Sequence, residues 1–124
     1  TKNFKVSEFT CHCGCNYNII DQRVMNIAQK IRDSLGVPVR VNSGCRCKTY
    51  NATIPGAAKN SYHTQGLAAD LSCSKGGKAL FLATQKLWNE GLIPELRWCK
   101  YYVKKNFVHI DCGKKRNNIF AVGD

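Results

Sequence analysis

Long apolar runs are missing from this 124-residue chain. No stretch of about 18 or more apolar residues occurs, so the sequence predicts no membrane-crossing helix. Repeats, low-complexity tracts and linkers are absent too, which at this length predicts one domain spanning 1–124 and, as the simplest expectation, a monomer. No signal peptide is visible, and the chain begins at Thr1 without Met, so a processed product or an excised domain is expected. Acids are scarce: eight Asp and Glu stand against nineteen Lys and Arg, a formal charge of +11. That excess fits an anionic partner, or simple solubility. The basic residues are scattered, with short clusters at Lys100 to Lys105 and Lys114 to Arg116, and no nucleic-acid motif or ring of stacking aromatics accompanies them. A negatively charged cell wall is therefore the preferred partner and nucleic acid the last. Histidine is scarcer still, with His12, His63 and His109 alone, and no short H-x-x-x-H pair.

Cysteine, by contrast, is plentiful. Eight occur, at 11, 13, 15, 45, 47, 73, 99 and 112, an even number that permits disulfides and an oxidising location. Partners inside a C-x-C are too close for an unstrained bridge, so disulfides are expected between segments, with Cys73 and Cys112 as an attractive pair. A structural zinc site from Cys11, His12, Cys13, Cys15 and Cys47 is an alternative, although the spacing is not the usual C-x-x-C. Buried reduced thiols are the bland reading for Cys45, Cys73, Cys99 and Cys112.

Hydrophobic periodicity outlines the fold. Asp21 is a plausible N-cap for a helix whose stripe is Val24, Ile27, Ala28, Ile31 and Leu35, closed by Gly36 and Pro38. Val37 to Val41 alternates as a strand and delivers Ser43 to Cys47 at its end. A loop or short helix is expected from about Thr49 to Asn60, and a second helix from about Gly77 to Asn89, ending at Gly91. Two tail strands, Leu96 to Val103 and Asn106 to Cys112, follow. This order predicts an α+β domain with an antiparallel sheet flanked by helices.

The chemistry concentrates in Ser61-Tyr62-His63-Thr64-Gln65-Gly66-Leu67-Ala68-Ala69-Asp70 and in Phe107-Val108-His109-Ile110-Asp111. Gly66 lets the chain reverse, and Leu67 to Cys73 then runs extended with Ala68, Asp70 and Ser72 on one face. Phe107, His109 and Asp111 likewise share a face. Neighbouring strands could aim Asp70 and His109 at one point, with His63 arriving from the preceding loop. Two imidazoles and one carboxylate with a free fourth position are how a catalytic zinc ion is held. Residue by residue, a satisfied core His or an edge Asp remains the competing reading.

The pattern S-x-H-x-x-G-x-A-x-D with a later strand His, supplied by Ser61, His63, Gly66, Ala68, Asp70 and His109, resembles that of the zinc D,D-peptidases. These are D-Ala-D-Ala carboxypeptidases, D-Ala-D-Ala dipeptidases and phage endolysin peptidases, and the hedgehog amino-terminal domain is similar in fold. Ser43-Gly44-Cys45-Arg46-Cys47 resembles the family's S-G-Y-R-C segment, and the opening Phe4 to Cys15 resembles the start of a small carboxypeptidase-like subfamily. The resemblance implies zinc on His63, Asp70 and His109, peptidoglycan peptides as substrate, and an extracellular, cell-wall or phage-delivered lysin. It implies Arg46 as the partner of a substrate carboxylate or oxyanion, and Ser61 as a substrate contact or a turn cap. Better-known members carry an acid or a His a few positions before the last ligand, where this chain has Asn106 and Phe107. Asp111 is then the expected general base, or else a residue that orients a ligand, with Glu95 and Glu90 next. Trp98, Tyr101 and Tyr102 line the cleft or belong to the core. A metal-containing module that binds wall or protein without cleaving it is the competing function.

Overall fold

The computed structural model describes residues 1–58 and 61–124. Helix α1, Gln22–Leu35, starts where Asp21 accepts the Arg23 N–H (2.9 Å) and stops at Gly36, whose φ of 68° is the left-handed conformation that ends helices. Its buried residues are Val24, Met25, Ile27, Ala28 and Ile31, so the predicted stripe gains Met25, while Leu35 lies at its margin. Burying each Val or Ile contributes about 1.5–3 kcal/mol. After β1, Val39–Ser43, come the short helix α2, Lys48–Asn51, a 3-10 turn, Tyr62–Gln65, and β2, Ala68–Cys73. Lys59 and Asn60, the last residues of the predicted loop, lie outside the described residues. Helix α3, Gly77–Asn89, has the predicted bounds and buries Leu80, Phe81, Ala83, Thr84 and Leu87. Strands β3, Trp98–Tyr102, β4, Phe107–Asp111, and β5, Phe120–Gly123, complete the fold.

The sheet has the order β1-β2-β4-β3-β5. Helices α1 and α3 pack together, and their apolar stripes share one core with the sheet residues Val39, Ala69, Leu71, Cys99, Val108 and Ile110. The alternation along β2 and β4 therefore sends Asp70 and His109 away from the helices. The fold is α+β as expected, but the sheet is mixed. β5, which the sequence pattern does not announce, runs parallel to β3, with Cys99 opposite Phe120.

Strand direction also overturns the Cys73–Cys112 pairing. β2 and β4 are antiparallel with Asp70 opposite His109, so three residues beyond each lie at opposite ends of the ladder. No disulfide joins any of the eight cysteines, against the expectation of one.

Candidate metal centre

Asp70 sits between two partners across the sheet: Ser43 on β1 and His109 on β4. The β1 pairing jumps by a residue between Val41 and Ser43, an irregularity that places Ser43 opposite Asp70. His63 comes from the 3-10 turn, which Ser61 caps by accepting the His63 N–H at 3.2 Å, and Gly66 ends the turn at φ 69°. A Cβ on Gly66 would meet the Ile19 carbonyl oxygen at 2.5 Å, so both conformation and space require glycine there. Ser61 thus has a capping role in the fold.

The ligand atoms of His63, Asp70 and His109 all lie within 4.8 Å of one another. One carboxylate oxygen, Asp70 Oδ1, is 3.3 Å from His63 Nε2 and 3.0 Å from His109 Nδ1. The outer ring nitrogens decide whether this cluster suits a cation. His63 Nδ1 lies 2.6 Å from the Gly44 carbonyl oxygen, which only accepts, so Nδ1 carries the proton and Nε2 offers a lone pair inward. His109 Nε2 lies 2.8 Å from Asp111 Oδ2, so it donates outward and leaves Nδ1 for the ion. Two oriented imidazoles and a carboxylate, with one position left over, fit a tetrahedral divalent ion such as zinc.

Without an ion, burial disfavours the protonated His109, but hydrogen bonds to Asp111 and Asp70 outweigh this and raise its pKa to about 9. Burial likewise opposes ionisation of Asp70, yet its bonds to His109 and His63 hold its carboxyl well below the usual range. A raised histidine stabilises the fold below its unfolded pKa of about 6.5 and loses that contribution as pH rises through about 9. A bound ion instead requires the deprotonated inward nitrogen. The thermal stabilisation on refilling a site emptied by a mild chelator should therefore grow between pH 6.5 and 9. A stabilisation that is flat or shrinking across that window in calorimetry would contradict the proton-for-metal exchange.

Arg46 follows the β1 strand and is buried, with its guanidinium spread over three acceptors: Ser43 Oγ (3.1 Å), Asn51 Oδ1 (3.3 Å) and, more loosely, Asp70 Oδ2 (3.4 Å). Its backbone N–H donates to the His63 carbonyl at 2.9 Å, tying the two functional segments together. Gly44 cannot be larger, because a Cβ there would stand 2.5 Å from the Phe9 backbone. Asn51 is the site-supporting residue that sequence reasoning missed, and Ser43 was named there only as the start of the Ser43 to Cys47 segment, without a role. The Ser-x-x-Arg spacing was the available signal for Ser43, whereas Asn51 is joined to the site only through the fold.

Of the two roles expected for Asp111, general base or ligand-orienting residue, its contacts match the second. It is 1% exposed, Oδ2 is engaged by His109 Nε2, and Oδ1 accepts the Gly113 N–H at 3.1 Å. It stands behind the imidazole, on the side away from the ligand cluster. Glu95 lies beside the α1 residues Arg23 and Asn26, and Glu90 caps the end of α3, so neither shares the His109 face of the sheet. Asn106 adopts φ 57° in the β3–β4 turn and accepts the Gly77 N–H at 2.7 Å, which accounts for an amide at that position. Of the candidate cleft aromatics, Tyr101 lies against Phe81 on the core side, 6.0 Å between ring centroids. Tyr102 shares the His109 face and stacks on Phe107 at 4.7 Å and 7°. Burial first, and the nearby Asp70 charge second, raise the pKa of its phenol. Trp98, also on that face, lies under Arg116 at 4.1 Å.

From this placement, Asp111→Asn is expected to weaken metal affinity about 10- to 100-fold while turnover at saturating metal changes less. Competition against a chromophoric chelator, with kcat measured alongside, separates the possibilities. Unchanged affinity with a 100- to 10,000-fold fall in kcat would restore Asp111 as the base.

A comparison with curated proteins finds no match. Among family models, Peptidase M15 matches residues 2–111, a span that holds His63, Asp70, His109, Arg46 and Asp111. By that match the chain belongs to the Peptidase M15 family and is a metallopeptidase.

Proposed function

We propose that the chain is a zinc peptidase that hydrolyses peptidoglycan stem or cross-bridge peptides, as a D,D-carboxypeptidase or an endolysin-type endopeptidase. The observation that carries this reading is the inward convergence of His63 Nε2, His109 Nδ1 and Asp70 Oδ1, each histidine fixed by an outward hydrogen bond. When bound there, zinc supplies a Lewis acid that lowers the pKa of water toward ~7 and polarises a carbonyl. The chain's own contribution is positioning and charge. Three of Arg46's five N–H donors are used, which leaves two for a substrate carboxylate or developing oxyanion. The formal charge of +11 supports attraction to an anionic wall, and the reading places the protein at the cell wall or in a phage lysin.

One observation favours a binding module instead. With Asp70 in the ligand cluster and Asp111 behind His109, no further acid shares the His109 face of the sheet among the described residues. Protic groups on that face of β3, next to β4, include the Tyr102 phenol and the Lys100 ammonium, whose Nζ lies 4.7 Å from the Tyr102 ring centroid. Mass spectrometry of purified peptidoglycan after incubation, with and without chelator, tests both. Chelator-sensitive release of D-Ala supports the carboxypeptidase, and chelator-sensitive cleavage of cross-links supports the endopeptidase. No cleavage by metal-loaded protein that still sediments with the wall leaves the binding module.

A further inference from the structure

Four cysteines outside this centre have no part in peptide hydrolysis, yet they converge. The Sγ atoms of Cys11, Cys13, Cys15 and Cys47 all lie within 4.8 Å of one another, with Cys11–Cys13 at 3.5 Å and Cys13–Cys47 at 3.6 Å. We propose that these four side chains hold a second, structural zinc ion in a closed tetrahedral site.

The separations distinguish the alternatives. Sulfurs about 2.3 Å from a tetrahedral zinc are about 3.8 Å apart, close to the observed spacing, whereas a disulfide needs about 2.05 Å. Burial of thiols as small hydrophobes does not account for the cluster either, because Cys13 and Cys15 are exposed. The backbone bends to gather three of the sulfurs within five residues: Gly14 and Asn16 both take positive φ, 86° and 65°. Amide donors already point at two sulfurs, Cys47 N–H to Cys11 Sγ at 3.4 Å and Tyr50 N–H to Cys47 Sγ at 3.3 Å. Neighbouring groups are sorted out of the set. Cys45 has the Phe9 and Tyr17 carbonyls each 3.0 Å from its Sγ as acceptors for its single S–H, and His12 lies outside the cluster. Binding releases the four thiol protons and leaves a site of net charge −2, within a chain whose formal charge is +11. Four sulfurs leave no position for water, so the ion is structural.

Its mechanical role follows from what it joins. Residues 11–15 belong to the amino-terminal segment, and Cys47 is the neighbour of Arg46. Cys45 N–H donates to the Phe9 carbonyl and Cys11 N–H to the Tyr17 carbonyl, at 2.9 and 2.7 Å. The ion would clamp that segment onto the loop that presents Arg46 and, through the Gly44 carbonyl, orients His63.

The inference does not depend on the peptidase reading, and the test keeps them apart. Elemental analysis of the full chain should find two zinc ions, one for each cluster. A variant carrying both His63→Ala and His109→Ala should keep one. Cobalt added to that variant should give the intense thiolate-to-cobalt charge-transfer band and strong visible bands of a tetrahedral sulfur site. Adding Cys13→Ser and Cys15→Ser, both at exposed positions, should abolish them, with circular dichroism to verify the fold. Zinc-free, folded histidine variant with all its thiols reduced would overturn the proposal. Disulfides among these four residues in the non-reduced peptide map would overturn it equally. Loss of peptidase activity alone bears on the other centre.

Discussion

His109→Ala and His63→Ala should each reduce peptide hydrolysis by at least about 1000-fold, or about 4 kcal/mol in the barrier. The size follows from what the ion contributes. Water bound to zinc has a pKa near 7 rather than 15.7, so a site that no longer holds the ion loses both nucleophile supply and carbonyl polarisation. Each substitution leaves one imidazole and a carboxylate, too few donors for a tight tetrahedral site. The consequences for Asp70 differ. Its Oδ1 touches both rings, and removal of His109 takes away the closer of the two, 3.0 against 3.3 Å. His109→Ala also strips the partner from Oδ2 of the buried Asp111. It should therefore destabilise the fold more than His63→Ala, which frees only the Gly44 carbonyl and one contact of Asp70. Zinc content, kcat/KM on a muropeptide and the denaturant midpoint, measured on both variants, check these statements. Either variant retaining more than a tenth of wild-type activity at wild-type metal concentrations would remove that histidine from the ligand set.

The ligand geometry was legible in the sequence because it rests on strict alternation. Ala68-Ala69-Asp70-Leu71 and Val108-His109-Ile110 each assign a face, and Gly66 marks the reversal that brings His63 back. Helices α1 and α3 were legible for a similar reason, since apolar stripes, an Asp cap and terminal glycines act locally. What failed depends on direction or on side-chain rotation. Alternation places Asp111 on the His109 face but does not say which ring nitrogen it meets, and that nitrogen separates a base from an orienting group. Counting three residues beyond each ligand suggested Cys73–Cys112, but in antiparallel strands the two counts run apart. Strand β5 is four residues long and pairs in parallel with a strand about twenty residues earlier, so no hairpin signal precedes it. The cysteine set of residues 11, 13, 15 and 47 was an open alternative in the sequence, and the fold brings those four sulfurs together while leaving His12 out.

Arg46→Lys should lower kcat/KM about 100- to 1000-fold while leaving zinc content intact, the range seen when one oriented donor to a developing oxyanion is lost. The charge survives this substitution, but the planar fork does not. A lysine ammonium has three donors on a flexible stem and cannot span Ser43, Asn51 and Asp70 while still offering two N–H groups to substrate. Alanine is the poorer test, because it would strip the Arg46 donor from Asn51 Oδ1 and Asp70 Oδ2 in a buried site and mix lost stability with lost chemistry. Substrate ends then separate the two roles open to Arg46. If it grips a terminal carboxylate, the wild-type protein should prefer a free peptide over its carboxyl-amidated form, and Arg46→Lys should erase most of that preference by raising KM for the free peptide. If it instead meets the oxyanion, both peptides should lose kcat by the same factor, and the reaction is an endopeptidase cleavage in which no terminal carboxylate is read. Wild-type rates on both peptides in the lysine variant would remove Arg46 from the chemistry and leave it as a brace for Asp70.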